Sequence, residues 1–100
     1  MSVKLIMTWD IIPEREQEYF EFVVREFIPG VQRLGFMVED AWATVFGDQP
    51  QIQVGAVYDS YPEAKAKIQS ADWISLQNRL LDYVNNYQHK LVPVHPGFQF

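Results

Sequence analysis

His89 and His95 are the side chains in this chain best suited to moving protons near neutral pH. They stand six residues apart near the C-terminal end, with Pro93 between them. A metal site would need a third ligand, which Glu39 or Asp40 would have to bring from another element. Ordinary edge histidines are the simpler reading, so no metal is expected; a haem axial ligand, as a variant of the same idea, would fall first to His89. General acid–base work needs no metal and suits an imidazole, which makes His89 the candidate catalytic residue. Trp9 and Trp42 offer two indoles that could sandwich a flat apolar ligand, against the plainer reading that both belong to the core of a subunit interface. Thr44 and Gln53 are isolated polar residues in otherwise apolar surroundings. Such groups orient a ligand in a cavity, or pair across an interface. The candidate ligand-binding set is therefore Trp9, Trp42, Thr44 and Gln53. Trp73 opens a helical stripe and reads as core. No nucleophile elbow, phosphate loop, dinucleotide fingerprint or zinc-protease motif occurs. With no cysteine, a disulfide framework, a cysteine-based zinc site and a thiol nucleophile are excluded.

The elements that must position these residues alternate along the whole chain. Val3 to Ile12 reads as a strand, with Val3, Leu5, Met7, Trp9 and Ile11 on one face and Lys4, Ile6, Thr8, Asp10 and Ile12 on the other. Both faces are largely apolar, as expected of a central strand covered on both sides. Pro13 suits a first helical turn, with Glu14 and Glu16 near the positive end of the helix dipole. Tyr19, Phe20, Val23, Val24, Phe27, Ile28, Val31 and Leu34 then recur at helical spacing. Pro29-Gly30 should kink or interrupt that helix near its end, and Gly35 should stop it. Phe36 to Phe46 reads as a second strand, with Ala41, Ala43 and Val45 on a face small enough for a helix to approach. Gly47 to Pro50 is a turn cluster, and Gln51 to Asp59 a third strand closing a hairpin. Ser60 and Glu63 fit a capping box ahead of a short helix to about Ser70. Asp72 is expected to cap a second piece from Trp73 to about Asn86. Tyr87 to Val94 can make a last strand; Pro93 and Pro96 limit its ladder bonds, so it should be an edge or end in an irregular tail.

Composition bounds the rest. One hundred residues make one domain, 1–100, and 48% apolar with 15% aromatic residues is enough for a packed core. A net charge of −5, with eight scattered Lys and Arg, argues against nucleic acid and against an anionic membrane surface. No stretch approaches the ~18 apolar residues of a membrane helix. Asp10 interrupts the first apolar run, so no signal peptide is expected and the cytoplasm is the default location.

The order β-α-β-β-α-β is the split βαβ, or ferredoxin-like, arrangement: an α+β fold with a four-stranded antiparallel sheet. Helices should cover one face. The other is expected to carry Met7, Trp9, Trp42, Phe46 and Val57, an apolar patch that predicts a homodimer through the sheet face. Four segments in this order resemble the dimeric α/β-barrel superfamily, and most its NIPSNAP-like branch. They are Thr8-Trp9-Asp10-Ile11-Ile12-Pro13; Glu26-Phe27-Ile28-Pro29 followed by Leu34-Gly35; Trp42 through Tyr58-Asp59-Ser60; and Ala71-Asp72-Trp73 through Asn78-Arg79-Leu80-Leu81. The resemblance spans roughly Val3 to Pro93. Where that branch usually has an Arg before the first-strand aromatic this chain has Met7, and where a Gly usually follows the Pro it has Glu14. The resemblance implies two sheets closing into a barrel and a cleft between sheet and helices in each subunit. Such relatives include cofactor-free monooxygenases, haem-degrading enzymes, dehydratases and many proteins of no assigned activity, so the fold does not name the function.

Three functions follow as expectations. The first is a homodimer that binds a small apolar or aromatic molecule in a cleft lined by Trp9, Trp42, Thr44, Gln53 and His89, with no cofactor. The second is a cofactor-independent monooxygenase or lyase acting on an aromatic or polyketide-like substrate, with His89 as acid or base. The third is a structural or interaction module whose sheet face is consumed by dimerisation.

Overall fold

Alternation along the first strand decides the layering. In the computed structural model, which describes residues 2–46 and 49–94, β1 (Val3–Ile11) buries every second side chain. Val3, Leu5, Met7, Trp9 and Ile11 are at most 2% exposed and form the centre of the core. β1 pairs antiparallel with both β3 (Gln49–Tyr58) and β4 (Val84–Pro93), and β3 pairs antiparallel with β2 (Met37–Phe46). The sheet order is β2-β3-β1-β4, which leaves β2 and β4 as edges. The element order and the four-stranded antiparallel sheet are those expected from the sequence.

Pro13 does not open the first helix. Pro13 and Glu14 form a turn in which Glu14 adopts a left-handed φ of 74°, and α1 (Glu16–Phe22) begins two residues later. The helical run continues without a break through a π-helical turn (Val23–Phe27) into α2 (Ile28–Arg33). Pro29 accounts for that turn: it has no N–H to donate, and its ring would press on the carbonyl four residues back in a regular α-helix. Widening the preceding turn, so that Ile28 N–H reaches the Val23 carbonyl, relieves the crowding. Pro29 thus widens the helix by a π-turn where a kink or an interruption was expected. Gly35 ends the run as anticipated, with φ 102° and its N–H on the Gln32 carbonyl, while Phe36 N–H reaches Val31.

Ser60 caps α3 (Tyr61–Lys67), its Oγ accepting from Glu63 N–H at 3.4 Å. The cap of α4 (Ala71–Leu80) is Ser70, which accepts from Trp73 N–H at 3.2 Å, and not Asp72, which lies within the first turn. α4 stops at Leu80, well short of Asn86. Asn85 and Asn86 belong to β4, where the pairing with β1 slips between Thr8 and Asp10 and Asn86 takes a φ of 57°. Asparagine tolerates that conformation, and the result is a β-bulge.

The helices pack on the odd-numbered face of β1. Met7 and Trp9 therefore lie beneath them, which corrects their expected place on the uncovered face. The uncovered face carries Lys4, Ile6, Thr8 and Asp10 of β1, Gln51, Gln53, Gly55 and Val57 of β3, Met37, Asp40 and Trp42 of β2, and Gln88, Lys90 and Val92 of β4. Trp42 and Val57 are on it as expected, and Phe46 holds a strand position of the same parity. Ala41 and Ala43, the small face expected to receive a helix, are exposed.

Candidate functional site

The five residues singled out from the sequence divide between the two faces. On the helix side Trp9 is 1% exposed, and its indole N–H donates to the Tyr19 hydroxyl at 2.8 Å. It meets Phe27 and Tyr19 edge-on, with centroids 5.8 and 6.4 Å away, and stacks on Tyr87 at 6.1 Å and 18°. Tyr87 and His89 share that side because side chains two apart on a strand point the same way. The Tyr87 hydroxyl lies 3.0 Å from His89 Nδ1, and the imidazole is edge-on to Trp73 at 6.2 Å. Trp73 in turn donates its N–H to Gln77 Oε1 at 3.0 Å. Burial pushes the Tyr19 and Tyr87 phenols above their ordinary pKa, with the Trp9 hydrogen bond partly opposing it at Tyr19. Burial also lowers the pKa of His89, which favours a neutral imidazole. A neutral ring with Nδ1 held by a phenol is well defined in orientation. Yet the Trp9 indole is enclosed by its own layer, so it has no face free for a ligand.

Trp42 and Gln53 meet on the uncovered face, directly paired between β2 and β3. Thr44 holds a position of the same parity, paired with Gln51. Trp42 is 62% exposed, unlike Trp9 and Trp73. Beside it the sheet surface carries a depression of about 340 Å³ lined by Ile6, Thr8, Gln53, Gln88 and Lys90. His89 borders the depression by its strand position, but its ring lies on the helix side against Trp73. Thr8 and Gln53 are opposite one another across β1 and β3, and Thr8 and Gln88 across β1 and β4. Two carboxamides and a hydroxyl thus form a polar row over the centre of the sheet, with Ile6 and Trp42 as its apolar flanks. Thr8 and Gln88 were not among the residues singled out. Thr8 escaped because both faces of β1 are apolar and its own was expected beneath the helices, and the bulge at Asn86 hides the side of Gln88.

Further along the same face Lys4 Nζ pairs with Asp40 Oδ2 at 2.9 Å and lies 4.0 Å from Glu39. Gly55 makes room for that pair, since a Cβ there would meet Asp40 and the Lys4 stem. Asp40 Oδ1 is buried with no partner among the described residues. His95, the other candidate metal ligand, lies outside the described residues.

No known family's sequence profile matches the chain, and no curated protein matches it. Solved structures do share its fold. One is an uncharacterized NIPSNAP domain protein from Burkholderia xenovorans, similar at a TM-score of 0.71 and 14% identity over 100% of both chains. Another is a NIPSNAP family protein from Agrobacterium tumefaciens, at a TM-score of 0.72 and 17% identity over 97% of this chain and 96% of that one. A third is SnoaB from Streptomyces nogalater, a cofactor-independent oxygenase, at 0.66 and 12% identity over 93% and 92%. The ferredoxin-like fold anticipated from the NIPSNAP-like resemblance is therefore the fold of this chain.

Proposed function

We propose that this protein binds a small molecule as a homodimer, with the uncovered faces of two sheets closing over the ligand. The observation that carries this reading is the row Thr8, Gln53 and Gln88 set in a depression beside an exposed Trp42. Amide and hydroxyl groups recognise carbonyl and hydroxyl substituents, and an indole offers a flat apolar wall. A small oxygenated aromatic compound fits that lining. Closure by a second copy would exclude water, which an open depression on one sheet cannot do.

Acid–base catalysis is not favoured at this place. His89 lines the depression by its strand position but its ring packs on Trp73 at the other side, which leaves the Lys90 ammonium as the ionisable side chain facing it among the described residues. SnoaB is a cofactor-independent oxygenase of similar fold, and a likeness of fold does not carry that activity to this chain.

Light scattering on wild type and Trp42→Glu tests the assembly, and thermal shift against a panel of phenols and quinols tests the ligand. The wild type should be dimeric and Trp42→Glu monomeric but folded. Gln53→Ala and Thr8→Val should stay dimeric and lose the shift given by any compound that binds. A monomeric wild type, or shifts unchanged in both depression variants, refutes the reading.

A further inference from the structure

The helix-side edge of β4 holds a second arrangement that the uncovered face does not use. Tyr87 is half-buried, with its ring stacked on the Trp9 indole. Its hydroxyl has one partner among the described residues, His89 Nδ1 at 3.0 Å. Trp9 in turn passes its own N–H to the Tyr19 hydroxyl. A phenol in such surroundings cannot simply ionise, because burial disfavours the phenolate. It can lose an electron if its proton moves at the same time to a base already in hydrogen-bond contact. His89 is that base: its imidazole is favoured in the neutral form, and its ring is exposed enough for a redox partner to approach.

We propose that Tyr87 and His89 form a one-electron, one-proton donor at the edge of the sheet. The oxidant is an organic oxyl radical, such as an aryloxyl, arriving at β4. One electron passes from the Tyr87 ring to that radical, which becomes the aryl oxide anion. The Tyr87 O–H bond breaks and its proton forms an N–H bond at His89 Nδ1, leaving a neutral phenoxyl and an imidazolium. The cycle closes when an enediol or thiolate reductant gives one electron to the phenoxyl and His89 returns the proton, so that Tyr87 is a phenol and His89 a neutral imidazole again.

Flash oxidation of the purified protein by photo-excited ruthenium tris-bipyridine with a sacrificial quencher tests this, read by the phenoxyl absorption band in light and heavy water. Wild type should show a phenoxyl phase with a solvent isotope effect. Tyr87→Phe, which keeps the stacked ring, should lose that phase. His89→Gln should slow it by roughly 10²-fold, the scale of a lost general base. Far-UV circular dichroism establishes that both variants are folded. A phenoxyl phase undiminished in Tyr87→Phe, or a rate and isotope effect unchanged in His89→Gln, overturns the proposal. A merely structural hydrogen bond would move neither.

Discussion

Trp9 has one N–H to place and no water to place it on. A buried polar hydrogen without a partner costs about 1–3 kcal/mol, so the Tyr19 hydroxyl on the first helix is part of what Trp9 requires. That dependence spans ten residues and two elements, and residue types alone do not announce it. The sequence leaves Trp9 free to sit on either face, because both faces of β1 are apolar and parity carries no sign there. Glu14 is the opposite case. The sequence resemblance marks it as standing where a glycine is usual, and its left-handed φ of 74° supplies the physical reason. An L-residue in that conformation costs about 1–2 kcal/mol, partly offset by the chain entropy that glycine loses on folding. Glu14→Gly is therefore expected to stabilise the fold by about 0.5–1 kcal/mol. Urea unfolding checks it, and a loss of stability would mean that the Glu14 side chain holds the turn.

At the scale of elements, the two helical units meet where Gly30 faces Leu76. A Cβ on Gly30 would stand 2.8 Å from one Leu76 methyl and 3.2 Å from the other. Alanine gains about 1 kcal/mol of helix propensity over glycine, but overpacking costs about 1–3 kcal/mol. Gly30→Ala should therefore destabilise by about 1 kcal/mol in the wild type and stabilise in a Leu76→Ala background. A double-mutant cycle measures that reversal. Element order was legible because periodicity of 2 and of 3.6 persists through every segment. Boundaries were less so, for local reasons. Ser70 and Asp72 are both competent caps, and only the backbone turn selects Ser70. Asn85-Asn86 reads equally as a helix stop or a bulge, since both use the left-handed tolerance of asparagine. That ambiguity moved the start of β4 from the expected Tyr87 to Val84. The candidate site was legible as two halves: Trp42 with Gln53 does meet, and His89 with Trp9 does share a side, but the sheet separates the pairs.

For the whole molecule, the uncovered face sets the problem. It exposes Met37 at 68% and Trp42 at 62% beside a half-buried Lys4–Asp40 pair, more polar than the patch expected from the sequence. A second copy is the proposed cover, and mass action tests it independently of any variant. A dimer that unfolds to separate chains gains about 1.4 kcal/mol for each tenfold rise in concentration, so its melting temperature should climb by a few degrees per decade. Calorimetry over two decades that shows a fixed melting temperature would leave the face without that partner.

The bulge at Asn86 has a consequence for how such a protein can change. It inserts one residue between the partners of Asp10 and Thr8, so that Asn86 and Tyr87 together stand opposite Trp9. Removal of the Asn86 codon would leave Asn85 opposite Asp10, Tyr87 opposite Trp9 and Gln88 opposite Thr8, so each face of β4 would keep its side chains and only the extra twist of the bulge would go. The bulge is thus a place where this strand can gain or lose a residue without exchanging what its two faces present.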